Sequence, residues 1–186
     1  MDEFDKIIKA DLYRHDRFTG RKGLLKGLMQ PGFRYTYLFR KSKQYKKGSL
    51  RGIFYRLLKR RYSFKYGFQI NSEAEIGEGF YLSDHFGTVV IGPVKMGKNC
   101  NINHSVTIGR AYSGGILGRP TIDDYVWIGT GSVLVGNIKI GKNVLIAANS
   151  FVNFDVPDNS IVIGNPGKII SKENPTRYYI NNVLTE

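Results

Sequence analysis

The sequence has a single cysteine, Cys100, among its 186 residues, and it lacks long apolar runs. One cysteine cannot form a disulfide framework within the chain, so a reducing cytoplasm fits this composition. Neither a signal-peptide core nor an apolar run of about 18 residues is present. We therefore expect a cytoplasmic protein that is neither exported nor membrane-spanning, with one domain and an appendage.

Acidic residues are also scarce, because 15 Asp and Glu stand against 28 Lys and Arg, for a formal net charge of +13. The excess lies in residues 1–68, which hold 19 basic and 5 acidic side chains, whereas the rest of the chain carries −1. Such a segment can pack as a helical cap with solvated charges, or contact the inner membrane surface as a peripheral partner. No nucleic-acid-binding motif accompanies the charge, so nucleic acid is not an expected partner.

Aliphatic residues return every six positions through the middle of the chain. The two series are Ile122, Ile128, Leu134, Ile140, Ile146, Val152 and Val90, Met96, Ile102, Ile108. Neither a helix nor a two-residue alternation has this period, whereas a parallel β-helix does, because each six-residue side has one short strand and one turn. A β-sandwich of short strands is the alternative, but it does not explain a constant spacing.

The predicted fold is therefore mainly β, a parallel β-helix with a short N-terminal helical region. The segments are a basic helical region at 1–66 with helices at 2–30 and 49–62, a β-helix at 67–170, and a tail at 171–186. The repeat is disturbed at Asp84–Thr88, and a loop at 109–121, which contains Gly114 and Gly115, leaves the coil. Such interruptions of a solenoid tend to lie at binding sites.

Two histidines fall within the repeat. With three sides per coil, the units that begin at Leu82 and Ile102 share a side one coil apart, so His85 and His104 should approach each other. His85, next to Asp84 at the disturbance, is the better general base because imidazole titrates near neutrality. Surface residues without a catalytic role remain the alternative, and His104 is either a substrate contact or a turn residue.

Metal and thiol chemistry are not expected. The third histidine, His15, lies in the basic helical region, so a zinc site of three imidazoles is not predicted. Cys100 occupies an inward-facing repeat position and is predicted to be a small core residue rather than a nucleophile.

Several stretches together resemble the hexapeptide-repeat acyltransferases, especially the serine acetyltransferases and the related polysaccharide O-acetyltransferases. They are Ile76-Gly-Glu-Gly, Asp84-His85-Phe-Gly, Val90-Ile-Gly, Val106-Thr-Ile-Gly, Trp127-Ile-Gly-Thr-Gly, Val156-Pro-Asp-Asn-Ser and Gly164-Asn-Pro-Gly-Lys. The resemblance covers about residues 70–170. It implies a left-handed β-helix, an exception to the usual right-handed crossover, that forms a homotrimer and uses acetyl-CoA at sites between subunits.

The resemblance also implies roles for individual residues. His85 corresponds to the catalytic histidine. Apart from the resemblance, we expect Asp84 or a neighbour to orient His85, and His104 stays a candidate substrate contact by its position. The implied acetyl-CoA contacts are the corner residues Gly109, Thr130 and Ala148, with Lys168 near the cofactor phosphates, since an ammonium binds phosphate as a point charge.

Two departures from the serine enzymes bear on the acceptor. Gln69 stands where they have an aspartate that pairs with the histidine, and Arg119-Pro120 stands where they have histidine before proline. Arg119 suits an acceptor with a carboxylate or phosphate. With the short basic helical region, these differences favour an acetyl-CoA-dependent O-acetyltransferase acting on a sugar hydroxyl of bacterial surface polysaccharide (capsule, O-antigen or exopolysaccharide). The alternatives are a serine O-acetyltransferase and a non-catalytic β-helix scaffold that docks on membrane.

Overall fold

Helices come first in the chain and short strands follow. The computed structural model describes residues 3–112 and 117–185, so Gly114 and Gly115 of the predicted loop lie outside the described residues. The helices are α1 (Glu3–Tyr13), α2 (Gly20–Gly27), α3 (Pro31–Gln44) and α4 (Leu50–Tyr66). The strands are β1 (Phe68–Ile70), β2 (Glu75–Ile76), β3 (Tyr81–Leu82), β4 (Val89–Ile91), β5 (Lys95–Met96), β6 (Asn101–Ile102), β7 (Thr107–Gly109), β8 (Thr121–Ile122), β9 (Trp127–Ile128), β10 (Val133–Val135), β11 (Lys139–Ile140), β12 (Leu145–Ile146), β13 (Phe151–Val152), β14 (Ser160–Ile163) and β15 (Lys168–Ser171).

The strands stack into three parallel sheets that form the sides of a triangular prism. Face A contains β1, β4, β7, β10 and β13, and face B contains β2, β5, β8 and β11. Face C contains β3, β6, β9, β12 and β14, and the antiparallel β15 closes it. From β1 to β10, each strand pairs with the strand three positions later, as one coil stacks on the next, and β12 pairs with β14. The predicted left-handed parallel β-helix is confirmed.

The six-residue period fills the interior of the prism. Ile102, Ile128 and Ile146 lie in register on face C and are fully buried. The first member of the predicted Val90 series is wrong by one residue. On β4, Ile91 rather than Val90 points inward, and it pairs with Ile108. The corner that follows Ile91 is one residue shorter than the others, so a count from Met96 backward reaches the wrong side chain.

The helical region packs on the first coil and shares its core. Tyr35 and Phe39 of α3, with Tyr66 of α4, belong to the same buried cluster as the aliphatic residues of the prism. The helical region contains one helix that was not predicted, because Pro31-Gly32, expected to end the first helical segment, begins α3. Pro31 lies in the first turn of α3, where its missing N–H costs no hydrogen bond.

A buried ion pair joins the helices to the prism. The Asp11 carboxylate accepts hydrogen bonds from Arg40 Nε at 2.9 Å and from the Phe80 backbone N–H at 2.9 Å. Burial raises the pKa of Asp11, while the nearby Arg40 guanidinium lowers it. Arg40 also donates to the Gly77 carbonyl at 2.6 Å, so the pair fixes α1 and α3 against the first coil.

The C-terminal segment crosses face C instead of extending away from it. The Tyr179 ring lies 4.8 Å from the Trp127 ring, and the Tyr179 carbonyl accepts from Asn101 Nδ2 at 3.2 Å. Arg14 Nε of the helical region donates to the Asn181 carbonyl at 2.8 Å. This C-terminal strap (residues 172–185) therefore connects the middle coils to the segment after α1.

Candidate active site

One edge of the prism carries most of the residues predicted to take part in catalysis. We call the corners between face C and face A the C–A edge, which holds His85, His104, Thr130 and Ala148 on successive coils, and Lys168 lies beyond them at the start of β15. Backbone hydrogen bonds link these corners, from Gly131 N–H to the His104 carbonyl at 3.2 Å and from Asn149 N–H to the Thr130 carbonyl at 2.8 Å. The predicted histidine and cofactor residues thus form a row.

The predicted approach of the two repeat histidines is confirmed. The rings of His85 and His104 lie 5.4 Å apart, because β3 and β6 are in register and their following corners stack. His85 is exposed, and the Nδ1 atom of His104 is buried without a hydrogen-bond partner in the described part of the chain. A reactant at this corner can therefore reach His85 directly.

Ser83, rather than Asp84, contacts the His85 ring. The Ser83 Oγ atom lies 2.8 Å from His85 Nδ1. Asp84 turns toward the helical region, where its Oδ1 accepts from the Gly32 backbone N–H at 2.8 Å. Its Oδ2 lies 3.5 Å from His15 Nδ1. Gln30, the N-cap of α3, makes no side-chain capping hydrogen bond. Asp84 caps the helix instead, and the helix dipole favours a carboxylate at this N-terminal end.

A polar cavity of about 310 Å³ lies on the inner side of Asp84. Asp16 and Asp84 bring two carboxylates to its wall, and Arg14 and His15 bring a guanidinium and an imidazole ring. The carboxylates can accept hydrogen bonds from an ammonium group, while the guanidinium offsets part of their negative charge. The cavity is therefore polar with groups of both signs, and Asp84 connects it to the corner that holds His85.

Sequence reasoning missed Ser83 and Asp16. Ser83 immediately precedes the Asp-His pair at the disturbed corner, so its position was the available signal. Asp16 lies far from this corner in sequence and reaches the cavity only because the segment after α1 packs on face C. No periodicity or short motif identifies such a residue.

Gly109 and Arg119 lie on a different edge. Gly109 ends β7 of face A, and the loop that follows leads to β8 of face B, so both residues belong to the A–B edge. Arg119 is exposed and donates through Nη1 to the Pro93 carbonyl at 3.2 Å. Within one protomer, the structure therefore does not bring the predicted residues Gly109 and Arg119 to the row that holds His85.

The row on the C–A edge has the dimensions of an extended cofactor arm. Neighbouring strands are about 4.8 Å apart, as in any sheet, so the five steps on face C from β3, which precedes His85, to β15, which begins at Lys168, span about 24 Å. Lys168 is exposed at the far end of the row. The residues present therefore fit a long acyl carrier with its reactive end at His85 and anionic groups near Lys168.

Cys100 has no access to this edge. The side chain is fully buried in the prism, and burial raises the pKa of its thiol to about 12. A thiol with this pKa is almost entirely protonated near neutral pH and is a poor nucleophile. Acyl transfer through Cys100 is thus excluded on geometric and chemical grounds.

The sequence and fold are similar to those of serine acetyltransferases. Residues 119–153 match the family described as bacterial transferase hexapeptide (six repeats). The serine acetyltransferase of Synechococcus elongatus is 33% identical over 168 residues, which cover 89% of this chain and 68% of that protein. Serine acetyltransferase 2 of Arabidopsis thaliana is 41% identical over 120 residues, which cover 61% of this chain and 35% of the plant protein.

Solved structures of serine acetyltransferases are also similar to this chain. The serine acetyltransferase of Neisseria gonorrhoeae in complex with serine superposes with a TM-score of 0.74 at 33% identity, covering 91% of this chain and 69% of that one. The Brucella abortus enzyme in complex with coenzyme A superposes with a TM-score of 0.75 at 30% identity, covering 92% and 69%. The chain thus spans from about a third to about two thirds of the length of these relatives.

These comparisons correct the predicted acceptor. The sugar hydroxyl of a surface polysaccharide was favoured partly because the helical region was expected to differ from that of the serine enzymes. The superpositions cover over nine tenths of the chain and therefore extend into its helical region. The relatives are serine acetyltransferases, so the polysaccharide prediction is wrong and the serine alternative is the better supported one. On its similarity to the Synechococcus protein over two thirds of that protein's length, the chain belongs to the serine acetyltransferase family of hexapeptide-repeat acyltransferases.

Proposed function

We propose that the protein is a serine O-acetyltransferase that takes the acetyl group from acetyl-CoA. The observation that carries this proposal is the row of His85, His104, Thr130, Ala148 and Lys168 along one edge, beside a cavity with two carboxylates. The row fits an extended thioester carrier. Among the related structures, the Neisseria gonorrhoeae enzyme is in complex with serine and the Brucella abortus enzyme is in complex with coenzyme A. In the cavity, the carboxylates of Asp16 and Asp84 can accept hydrogen bonds from the ammonium group of an amino acid.

In the proposed reaction, His85 acts as general base. Its Nε2 takes the proton of the serine hydroxyl while the hydroxyl oxygen forms a bond to the acetyl carbon. The carbon–sulfur bond then breaks, and the imidazolium returns its proton to the departing sulfur. O-acetylserine and the free thiol are the products, and no covalent enzyme intermediate is needed.

The acceptor is held at both of its charged ends. Asp16 and Asp84 attract its ammonium group, and Arg119 suits its carboxylate because a guanidinium can bind both carboxylate oxygens. Arg119 lies on the A–B edge, so it can serve this site only from a neighbouring protomer. The backbone amide of Gly109, on the same edge, is the proposed donor to the oxyanion.

We accordingly propose a homotrimer. Face A presents half-buried Val90, Val133, Val135 and Phe151 on its outer surface, and apolar stripes of this kind are typical of subunit interfaces. A ring of three protomers that meet along face A would bring the A–B edge of one to the C–A edge of the next. The site would then be completed by two chains.

Peripheral contact with an anionic membrane stays a prediction, and the surface of α4 supports it. No helix among the described residues is long and apolar enough to cross a bilayer. Phe54, Leu57 and Phe64 of α4 are exposed, and Arg60 and Lys65 flank them. An apolar stripe flanked by cations suits anionic lipid headgroups. Salt-sensitive sedimentation with anionic but not neutral vesicles tests the contact, and binding to neither vesicle would contradict it.

The test of the proposed function is a thiol-release assay with acetyl-CoA and free serine. We expect saturable turnover with L-serine and a loss of about 10²- to 10⁴-fold in kcat for His85→Ala, because the general base is removed. Lys139→Ala, on exposed face B, is the matched control and should retain full activity. An enzyme that releases no thiol with serine, or a His85→Ala variant with near-normal turnover, would overturn the proposal.

A further inference from the structure

We infer that Ser83 is the residue that positions the base. Its hydroxyl orients the His85 ring by a hydrogen bond at Nδ1, a position at which a carboxylate is more usual beside a catalytic histidine. The inference rests on the proposed function, because it assigns a role within that reaction. Ser83 is 4% exposed, while the neighbouring His85 is exposed, so a fixed side chain holds a solvent-accessible ring.

The hydrogen bonds around the Ser83 hydroxyl are compatible with the tautomer of His85 that a general base requires, and we infer that this is the tautomer present. Ser83 Oγ lies 2.8 Å from His85 Nδ1 and also accepts from the His85 backbone N–H at 3.4 Å. A hydroxyl oxygen has two lone pairs, so it can accept from the backbone N–H and from an Nδ1–H together. In this arrangement Nδ1 carries the proton, and Nε2 has the free lone pair that a base requires.

The carboxylates close to this corner are engaged elsewhere. Both Asp84 oxygens face the helical region, toward Gly32 and His15. Gln69, exposed on β1, places a neutral amide where the resemblance to the serine enzymes implies an aspartate. The titratable group that faces the His85 ring from the next coil is His104, with ring centroids 5.4 Å apart.

A neutral partner has a chemical consequence. When His85 takes up the hydroxyl proton, the positive charge of the imidazolium is not balanced by an adjacent carboxylate. A hydroxyl fixes the orientation and tautomer of the ring but contributes little charge stabilisation. The base therefore depends on Ser83 for geometry, and a carboxylate placed at position 83 would add the missing electrostatic contribution.

Nitrogen NMR of the imidazole rings tests the tautomer without reference to activity. The chain has three histidines, so the His85 signals can be assigned by their loss in His85→Ala. We expect Nδ1 to be protonated and Nε2 to be unprotonated in the neutral ring of the wild-type protein. In Ser83→Ala the ring should redistribute toward the Nε2–H form, because its Nδ1 partner has been removed. An unchanged tautomer in Ser83→Ala would overturn the inference.

Kinetics supply the second test. We expect Ser83→Ala to lose about tenfold in kcat, the equivalent of one hydrogen bond, with the KM for acetyl-CoA unchanged. Ser83→Thr keeps the hydroxyl and should recover most of the lost rate. Ser83→Asp should move the acid limb of the pH–rate profile to higher pH, because an adjacent carboxylate stabilises the imidazolium. Lys139→Ala, on face B and away from the C–A edge, is the control with normal rates.

The outcomes separate this inference from the proposed function. If the wild-type protein acetylates serine but Ser83→Ala has a normal kcat and pH profile, Ser83 has no positioning role and only the inference fails. If the wild-type protein releases no thiol with serine but the tautomer changes in Ser83→Ala, the function fails and the pairing of Ser83 with His85 stands. Thermal melting of each variant identifies any that do not fold. The imidazole tautomer measured by NMR in Ser83→Ala then decides whether Ser83 positions His85.

Discussion

At the scale of single residues, the sequence predicted the approach of His85 to His104 but not the contact between His85 and Ser83. The six-residue count put His85 and His104 on one side of adjacent coils, and their rings lie 5.4 Å apart. The same count carries no information on side-chain rotation, so it could not distinguish Ser83 from Asp84 as the group that touches His85. That choice follows from α3, whose backbone N–H at Gly32 binds the Asp84 carboxylate.

Cys100 gives a prediction at the same scale. Because burial raises its pKa to about 12, the thiol should resist alkylation in the native protein at pH 8 and react rapidly once the chain is unfolded in denaturant. The labelled fraction, followed by mass spectrometry, measures this difference. Cys100→Ala should retain turnover, whereas rapid labelling of the native protein with concurrent loss of activity would contradict the core assignment.

At the scale of secondary-structure elements, the strands were predictable and the third helix was not. Short strands follow from the hexapeptide period, because each one repeats the same inward residue. The aromatic run from Phe33 to Phe39 alternates with polar residues and follows Pro31-Gly32, so the local pattern did not indicate a helix. Its buried aromatic side chains form α3 because they pack on the first coil, a contact that no local pattern encodes.

Gly32 provides the prediction for this element. A Cβ atom at position 32 would lie 2.0 Å from the Leu82 carbonyl oxygen, so only glycine allows α3 to approach β3. Gly32→Ala should destabilise the protein by about 1–3 kcal/mol despite the better helix propensity of alanine, since the backbone must move. It should also lower kcat, because the displaced helix releases Asp84. Urea unfolding and thiol release measure the two effects.

Gly48 is the matched control for this substitution. A Cβ atom there would meet nothing within 4 Å, so Gly48→Ala should change the free energy of unfolding by no more than about 0.5 kcal/mol. Equal stability of the two variants would show that α3 does not depend on its close approach to β3.

At the scale of the whole molecule, the predicted site residues divide between two edges. His85, His104, Thr130, Ala148 and Lys168 line the C–A edge, whereas Gly109 and Arg119 lie on the A–B edge. One prism cannot bring its own edges together, because face A lies between them. The proposed trimer resolves this separation by pairing the edges of neighbouring chains.

Mixed oligomers test the shared site. His85→Ala and Arg119→Ala should each lower kcat/KM for serine, and co-expression of the two should restore about a quarter of the wild-type value. Random assembly of a ring gives about that fraction of interfaces in which one chain supplies His85 and its neighbour supplies Arg119. Activity no higher than that of the separate variants would place both residues in one chain's site, or exclude Arg119.

The sequence by itself determined the β-helix, the position of the interruptions, the burial of Cys100 and the meeting of the two histidines. Each of these follows from a spacing that repeats along the chain, and a repeat fixes the side and coil of a residue without further information. Only the tertiary structure decided that Ser83 contacts the His85 ring, that Asp16 reaches the cavity and that the C-terminal strap packs on face C. These contacts join segments far apart in sequence, and they form because apolar surfaces of the helices and the prism pack together, which no local pattern specifies.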